Sequence, residues 1–84
     1  MYRLEFTRQA QKDALLIELA GLKPRALELL NIIKSNPYQN PPHCEKLQGL
    51  PDTYSRRNIQ HRLVYRVFAS EGIVRVIRMW THYE

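Results

Sequence analysis

The spacing of apolar and polar positions changes period along this chain, and the changes mark its elements. Tyr2, Leu4 and Phe6 alternate with Arg3 and Glu5, the two-residue period of a short strand buried on one face. Thr7 then offers a hydroxyl to the free N–H groups of a helix's first turn. A helix is predicted from about Arg8 to Leu19 or Ala20, with Ala10, Ala14 and Ile17 on one face and Leu15, Leu16 and Leu19 widening it. Gly21 suits the position past its end, because glycine adopts the left-handed backbone at no steric cost. Pro24 fits the first turn of a second helix, where a missing N–H is harmless. Ala26, Leu29, Leu30 and Ile33 then recur at the spacing of an amphipathic stripe, and Asn36-Pro37 stops it. So short a link makes the two helices an antiparallel hairpin.

From Pro37 to Asp52 periodicity disappears, and Pro37, Pro41, Pro42 and Pro51 stiffen a loop. Within it, Cys44-Glu45-Lys46-Leu47 reads as a short extended piece. Strands follow: Tyr54–Gln60, His61–Phe68 and Ile73–Trp80, the last two joined by Ala69-Ser70-Glu71-Gly72, where Gly72 supplies the positive φ of a hairpin loop. On the middle strand His61, Leu63, Tyr65 and Val67 share one face. Arg62, Val64, Arg66 and Phe68 share the other. Arg75 and Arg78 fall on opposite faces of the last strand. The order βααβββ predicts one α+β domain over 1–84, a helical hairpin covering one face of an antiparallel sheet and leaving the other face open for a ligand.

Charge sharpens that expectation. Thirteen Lys and Arg against eight Asp and Glu give a net charge of +5, which favours an acidic partner, nucleic acid first and an acidic protein second. Cys44 is the only cysteine, so no internal disulfide forms, there is no Cys-x-x-Cys pair, and a reducing cytoplasm fits. The N-terminal residues carry charges every few positions with no apolar signal run, and no stretch approaches the length of a membrane span. Gly-rich nucleotide loops, H-E-x-x-H and G-x-S-x-G are absent, so no cofactor or metal is expected.

What remains as chemistry is a carboxylate (Glu45), a histidine (His82) and a set of arginines. Guanidinium groups are planar, permanently charged and able to bond phosphate bidentately. A base, cations and an acid can together cleave RNA without metal, by taking the proton of a ribose 2′-OH, stabilising the phosphate and protonating the departing 5′-oxygen. Tyr83 can stack on a base or bond a phosphate. Each residue also has a duller reading: Arg56 and Arg57 as a solubilising strand edge, His61 as a packing residue beside Arg62, Trp80 and Tyr65 as core, His82 as a surface histidine.

Taken together, the motifs Cys-Glu-Lys-Leu, Tyr-Ser-Arg-Arg, Gln-His-Arg-Leu-Val-Tyr and Trp-Thr-His-Tyr-Glu resemble the YoeB/Txe toxins of the RelE superfamily over essentially the whole chain. The resemblance implies a microbial-ribonuclease-like fold and an mRNA interferase that cuts translated mRNA in the ribosomal A site. It implies Glu45 as general base, Arg62 as phosphate stabiliser and His82 as general acid. Lys46, Tyr83 and one of Arg56 and Arg57 become substrate contacts. It further implies a YefM/Phd-like antitoxin, 16S rRNA and mRNA as partners, and allows a homodimer. Two departures stand out. Gln48 occupies a position where many relatives carry lysine, and the stretch between Arg57 and His61 is one residue short. Because a one-residue slip flips a strand's side chains, the sequence leaves Arg56 and Arg57 undecided. The alternative is a non-catalytic toxin of the same fold, like ParE, acting on a protein.

Overall fold

In a computed structural model, which describes residues 1–41, 43–58 and 61–80, five strands form one sheet and two helices pack against it. The strands are β1 (Arg3–Phe6), β2 (Cys44–Lys46), β3 (Thr53–Asn58), β4 (His61–Phe68) and β5 (Ile73–Arg78). The helices are α1 (Arg8–Leu19) and α2 (Lys23–Ser35). The α+β class and the helical hairpin are as the sequence predicts. The spatial order is β1-β5-β4-β3-β2. Strands β2 to β5 pair antiparallel, whereas β1 runs parallel to β5. The sheet is therefore mixed, and the extended piece at Cys44–Lys46 becomes its far edge.

The local signals act where expected. Thr7 Oγ1 accepts from the Ala10 N–H at 3.1 Å and donates to the Ile77 carbonyl at 2.9 Å, so one side chain caps α1 and ties it to β5. Such caps contribute about 1 kcal/mol. Gly21 and Gly72 close α1 and the β4–β5 connection with φ of 75° and 66°, values that a side chain would strain. The apolar face of α2 is fully used: Ala26, Leu29, Leu30 and Ile33 are all buried. They meet Leu63, Tyr65 and Val67 of β4 and Val74 and Val76 of β5 in one core.

The prediction fails on α1. Leu15, Leu16 and Leu19 are 63%, 43% and 85% exposed and do not widen the buried face. The buried positions are Ala10, Asp13 and Ile17. At about 100° per residue, Leu19 lies opposite Ala10. Leu15, with Leu27 of α2, instead lines a groove of about 280 Å³ between the helices.

Candidate functional site

Among the described residues, the sheet face away from the helices brings together three of the predicted ones, Glu45, Arg57 and Arg62. Cross-strand partners project to the same side of a sheet. Glu45 on β2 is opposite Ser55 on β3, which is opposite Val64 on β4. Two pairs further along, and so on the same side, Arg57 faces Arg62. Arg62 Nη1 donates to Glu45 Oε2 at 3.2 Å and to Ser55 Oγ at 2.9 Å. The predicted base and the predicted phosphate cation are thus an ion pair, and Ser55 holds the guanidinium from below. The pair is partly open, with side-chain exposures of 20% for Arg62 and 51% for Glu45, so a ligand can reach both.

Register also decides between the two neighbouring arginines. Arg56 pairs with Leu63 on the helix-facing side and is 0% exposed. Its Nε donates to Tyr65 Oη at 3.0 Å and its Nη2 to the Pro37 carbonyl at 3.1 Å. Arg56 therefore does not reach the open face, which corrects its reading as a substrate contact. A buried guanidinium must satisfy its donors internally, and here it does so by fastening a loop. Tyr65 Oη donates to the same Pro37 carbonyl at 2.6 Å, with Cys44 Sγ 3.4 Å away. Burial and the Cys44 contact push the Tyr65 hydroxyl well above the ordinary phenol range, against a smaller opposing effect of Arg56, so it stays protonated as a donor. This network pins Pro37 and Cys44 on the core side, and through β2 it sets where Glu45 emerges.

Arg57, by contrast, is exposed beside Arg62. The short stretch that left the register undecided leads from Asn58 to His61, which are themselves cross-strand partners; Ile59 and Gln60 between them lie outside the described residues. The strands themselves keep their pairing. Lys46 pairs with Tyr54 and alternates away from Glu45 to the opposite side of the edge strand, where it is exposed.

His82 and Tyr83 lie outside the described residues. The residues leading to them are firmly held. Trp80 stacks on the buried His61 with ring centroids 3.7 Å apart, the packing role foreseen for that histidine. Asp13 of α1 is the group sequence reasoning missed. It is 1% exposed, and its Oδ2 accepts from Arg78 Nε at 2.8 Å, from the Met79 N–H at 2.9 Å and from the Trp80 N–H at 3.2 Å. Gln9 donates to Oδ1 at 3.0 Å. Burial pushes this carboxyl up, but the bonds from Arg78, Met79, Gln9 and Trp80 outweigh it and hold the group below the ordinary carboxylate range. One signal was available: Asp13 sits on the Ala10–Ile17 stripe, three and four residues from its apolar neighbours.

Among the described residues no cluster of His, Cys, Asp and Glu forms that could hold a metal ion, and no helix is long and apolar enough to cross a membrane.

No protein-family model and no curated protein matches the sequence. Solved structures do. A YoeB/ParE toxin from Agrobacterium tumefaciens is 29% identical, with a TM-score of 0.85 over 99% of this chain and 100% of that one. A YoeB dimer from Staphylococcus aureus is 29% identical, with a TM-score of 0.82 over 98% of each chain. A chain of the intact E. coli RelBE toxin–antitoxin complex matches at 26% identity and a TM-score of 0.80, over all of both chains. The class these likenesses support is a toxin of a toxin–antitoxin system with the RelE/YoeB fold. Within it, the chain is similar in particular to the YoeB toxins, which the motifs of its sequence also resemble.

Proposed function

We propose that this toxin is a ribosome-dependent endoribonuclease that cleaves mRNA in the A site. The observation that carries the reading is the Glu45–Arg62 pair, 3.2 Å apart on the open face and braced by Ser55. A phosphodiester arriving at Arg62 competes for its guanidinium and loosens its hold on Glu45. A carboxylate oxygen no longer held by the guanidinium is free to accept a hydrogen bond from the 2′-OH. Glu45 then takes the 2′-OH proton, and the 2′-oxygen attacks the adjacent phosphorus. Arg62, with Arg57 beside it, stabilises the charge gathering on the phosphate oxygens. His82 gives a proton to the departing 5′-oxygen, leaving a cyclic phosphate and a 5′-hydroxyl. Tyr83 contacts the substrate. Lys46, on the far side of β2, is suited to ribosomal RNA rather than to the scissile phosphate. DNA lacks the 2′-OH and is spared.

Neighbouring structures include YoeB–YefM and RelB–RelE complexes. By analogy, a YefM/Phd-like antitoxin neutralises this chain, its acidic C-terminal segment covering the arginine face or displacing His82 and Tyr83. Growth arrest on induction tests the catalytic reading. Glu45→Ala and His82→Ala are each expected to relieve it. Arrest as severe as wild type in both would instead favour a ParE-like toxin that binds a protein target.

A further inference from the structure

A second cationic pair lies on the same open face, away from Glu45. Arg66 and Arg75 are direct cross-strand partners on β4 and β5. Like charges placed opposite one another destabilise a sheet. Edge protection does not explain them, because β4 and β5 are interior strands. Their guanidinium carbons both lie against the Phe68 ring, 4.7 and 4.9 Å from its centroid. The ring's negative face attracts cations and holds the two heads together. Only part of the charge is balanced locally: Glu5 bonds Arg75 at 3.3 Å and lies 3.9 Å from Arg3. The Nε of Arg66 is buried and has no hydrogen-bond partner among the described residues.

Arg66 follows Arg62 by four residues on one strand, about 13 Å along the same face. The two arginine pairs, Arg57–Arg62 and Arg66–Arg75, therefore continue one track across the uncovered sheet. Resting on the ribonuclease reading above, we propose that Arg66, Phe68 and Arg75 form a sequence-tolerant contact for the single-stranded RNA flanking the scissile bond. Two forked cations bind phosphate there, and an aromatic ring lies within reach of a base. Aromatic and arginine platforms of this kind bind any sequence, because every base has a π-face and every nucleotide a phosphate. Continuity with the Arg62 site favours RNA over an acidic peptide.

The test measures the affinity of the full-length protein for uncleavable 2′-O-methyl RNA, a dinucleotide and a longer strand, across a salt series. Arg66→Gln with Arg75→Gln is expected to weaken the longer strand about tenfold and to lower the salt slope by about 1 to 2, one for each phosphate no longer neutralised. Dinucleotide binding should be unchanged. Phe68→Leu, which keeps an apolar side chain, should give an intermediate loss. Unchanged affinity and slope for the longer strand would overturn the proposal. So would equal losses for dinucleotide and longer strand, which would make the cluster a structural support of the Arg62 site. A double variant that binds RNA normally but loses poly-glutamate would show the surface to be a peptide site instead. Glu45→Gln separates this idea from the catalytic one: if it stays fully toxic while the RNA results hold, the chemistry is wrong and the track stands.

Discussion

Ser55 sits within the Tyr-Ser-Arg-Arg motif without being singled out there, yet its hydroxyl is 2.9 Å from the Arg62 guanidinium. A hydrogen bond to a charged group contributes about 1.5–3 kcal/mol. Ser55→Ala is therefore expected to lower single-turnover cleavage by about tenfold or more, with Thr restoring much of the loss. A variant as fast as wild type would show that Arg62 holds its position without it. Asp13 supports a prediction about pH. Its folded-state pKa lies below its ordinary value of 3.8, so its stabilisation is complete above that value and is lost as pH falls through the lower, folded one. Asp13→Asn should cost about 2–3 kcal/mol at neutral pH and should flatten the acid loss, as read by denaturant unfolding at several pH values. An acid profile identical to wild type would contradict the assignment. The roles of single residues were the least legible in sequence. Arg56 and Arg57 are chemically identical neighbours, and only pairing with Leu63 and Arg62 sends one into the core and the other to the surface.

At the scale of elements, what was legible was what is local. The cap at Thr7, the stripe of α2 and the two faces of β4 are written in short-range spacing, and each holds in the structure. What depends on distant pairing was hidden. The parallel register of β1 against β5 joins residues some seventy positions apart and leaves no mark on either strand. Burial on α1 misled for a related reason. Its helix has more apolar residues than the sheet can cover, and Asp13 takes a buried place that a leucine pattern would claim. Stability should report the difference. Leu29→Ala, at a position with no exposure, is expected to cost about 2–5 kcal/mol. Leu19→Lys, at 85% exposed, should change stability by less than about 0.5 kcal/mol. Comparable losses from both would mean that the exposed flank of α1 is packed against something in solution.

For the whole molecule, the helices close one side of the sheet, and Arg57, Arg62, Arg66 and Arg75 stand on the other. That division places Glu45, Arg57, Arg62, Arg66 and Arg75 on one accessible face, while Arg56 and Asp13 act from within to hold the loop before Glu45 and the strand end before His82. The net charge of +5 pointed to an acidic partner but to no surface; only the strand order and register gather these arginines on one face. The measurement bearing most directly on the central claim is a map of the 5′ ends of cellular mRNA after induction of the toxin. New ends within translated sequences, present for the wild type and absent for Glu45→Ala, are the predicted result. No new ends with the wild type, or the same ends with Glu45→Ala, would contradict it.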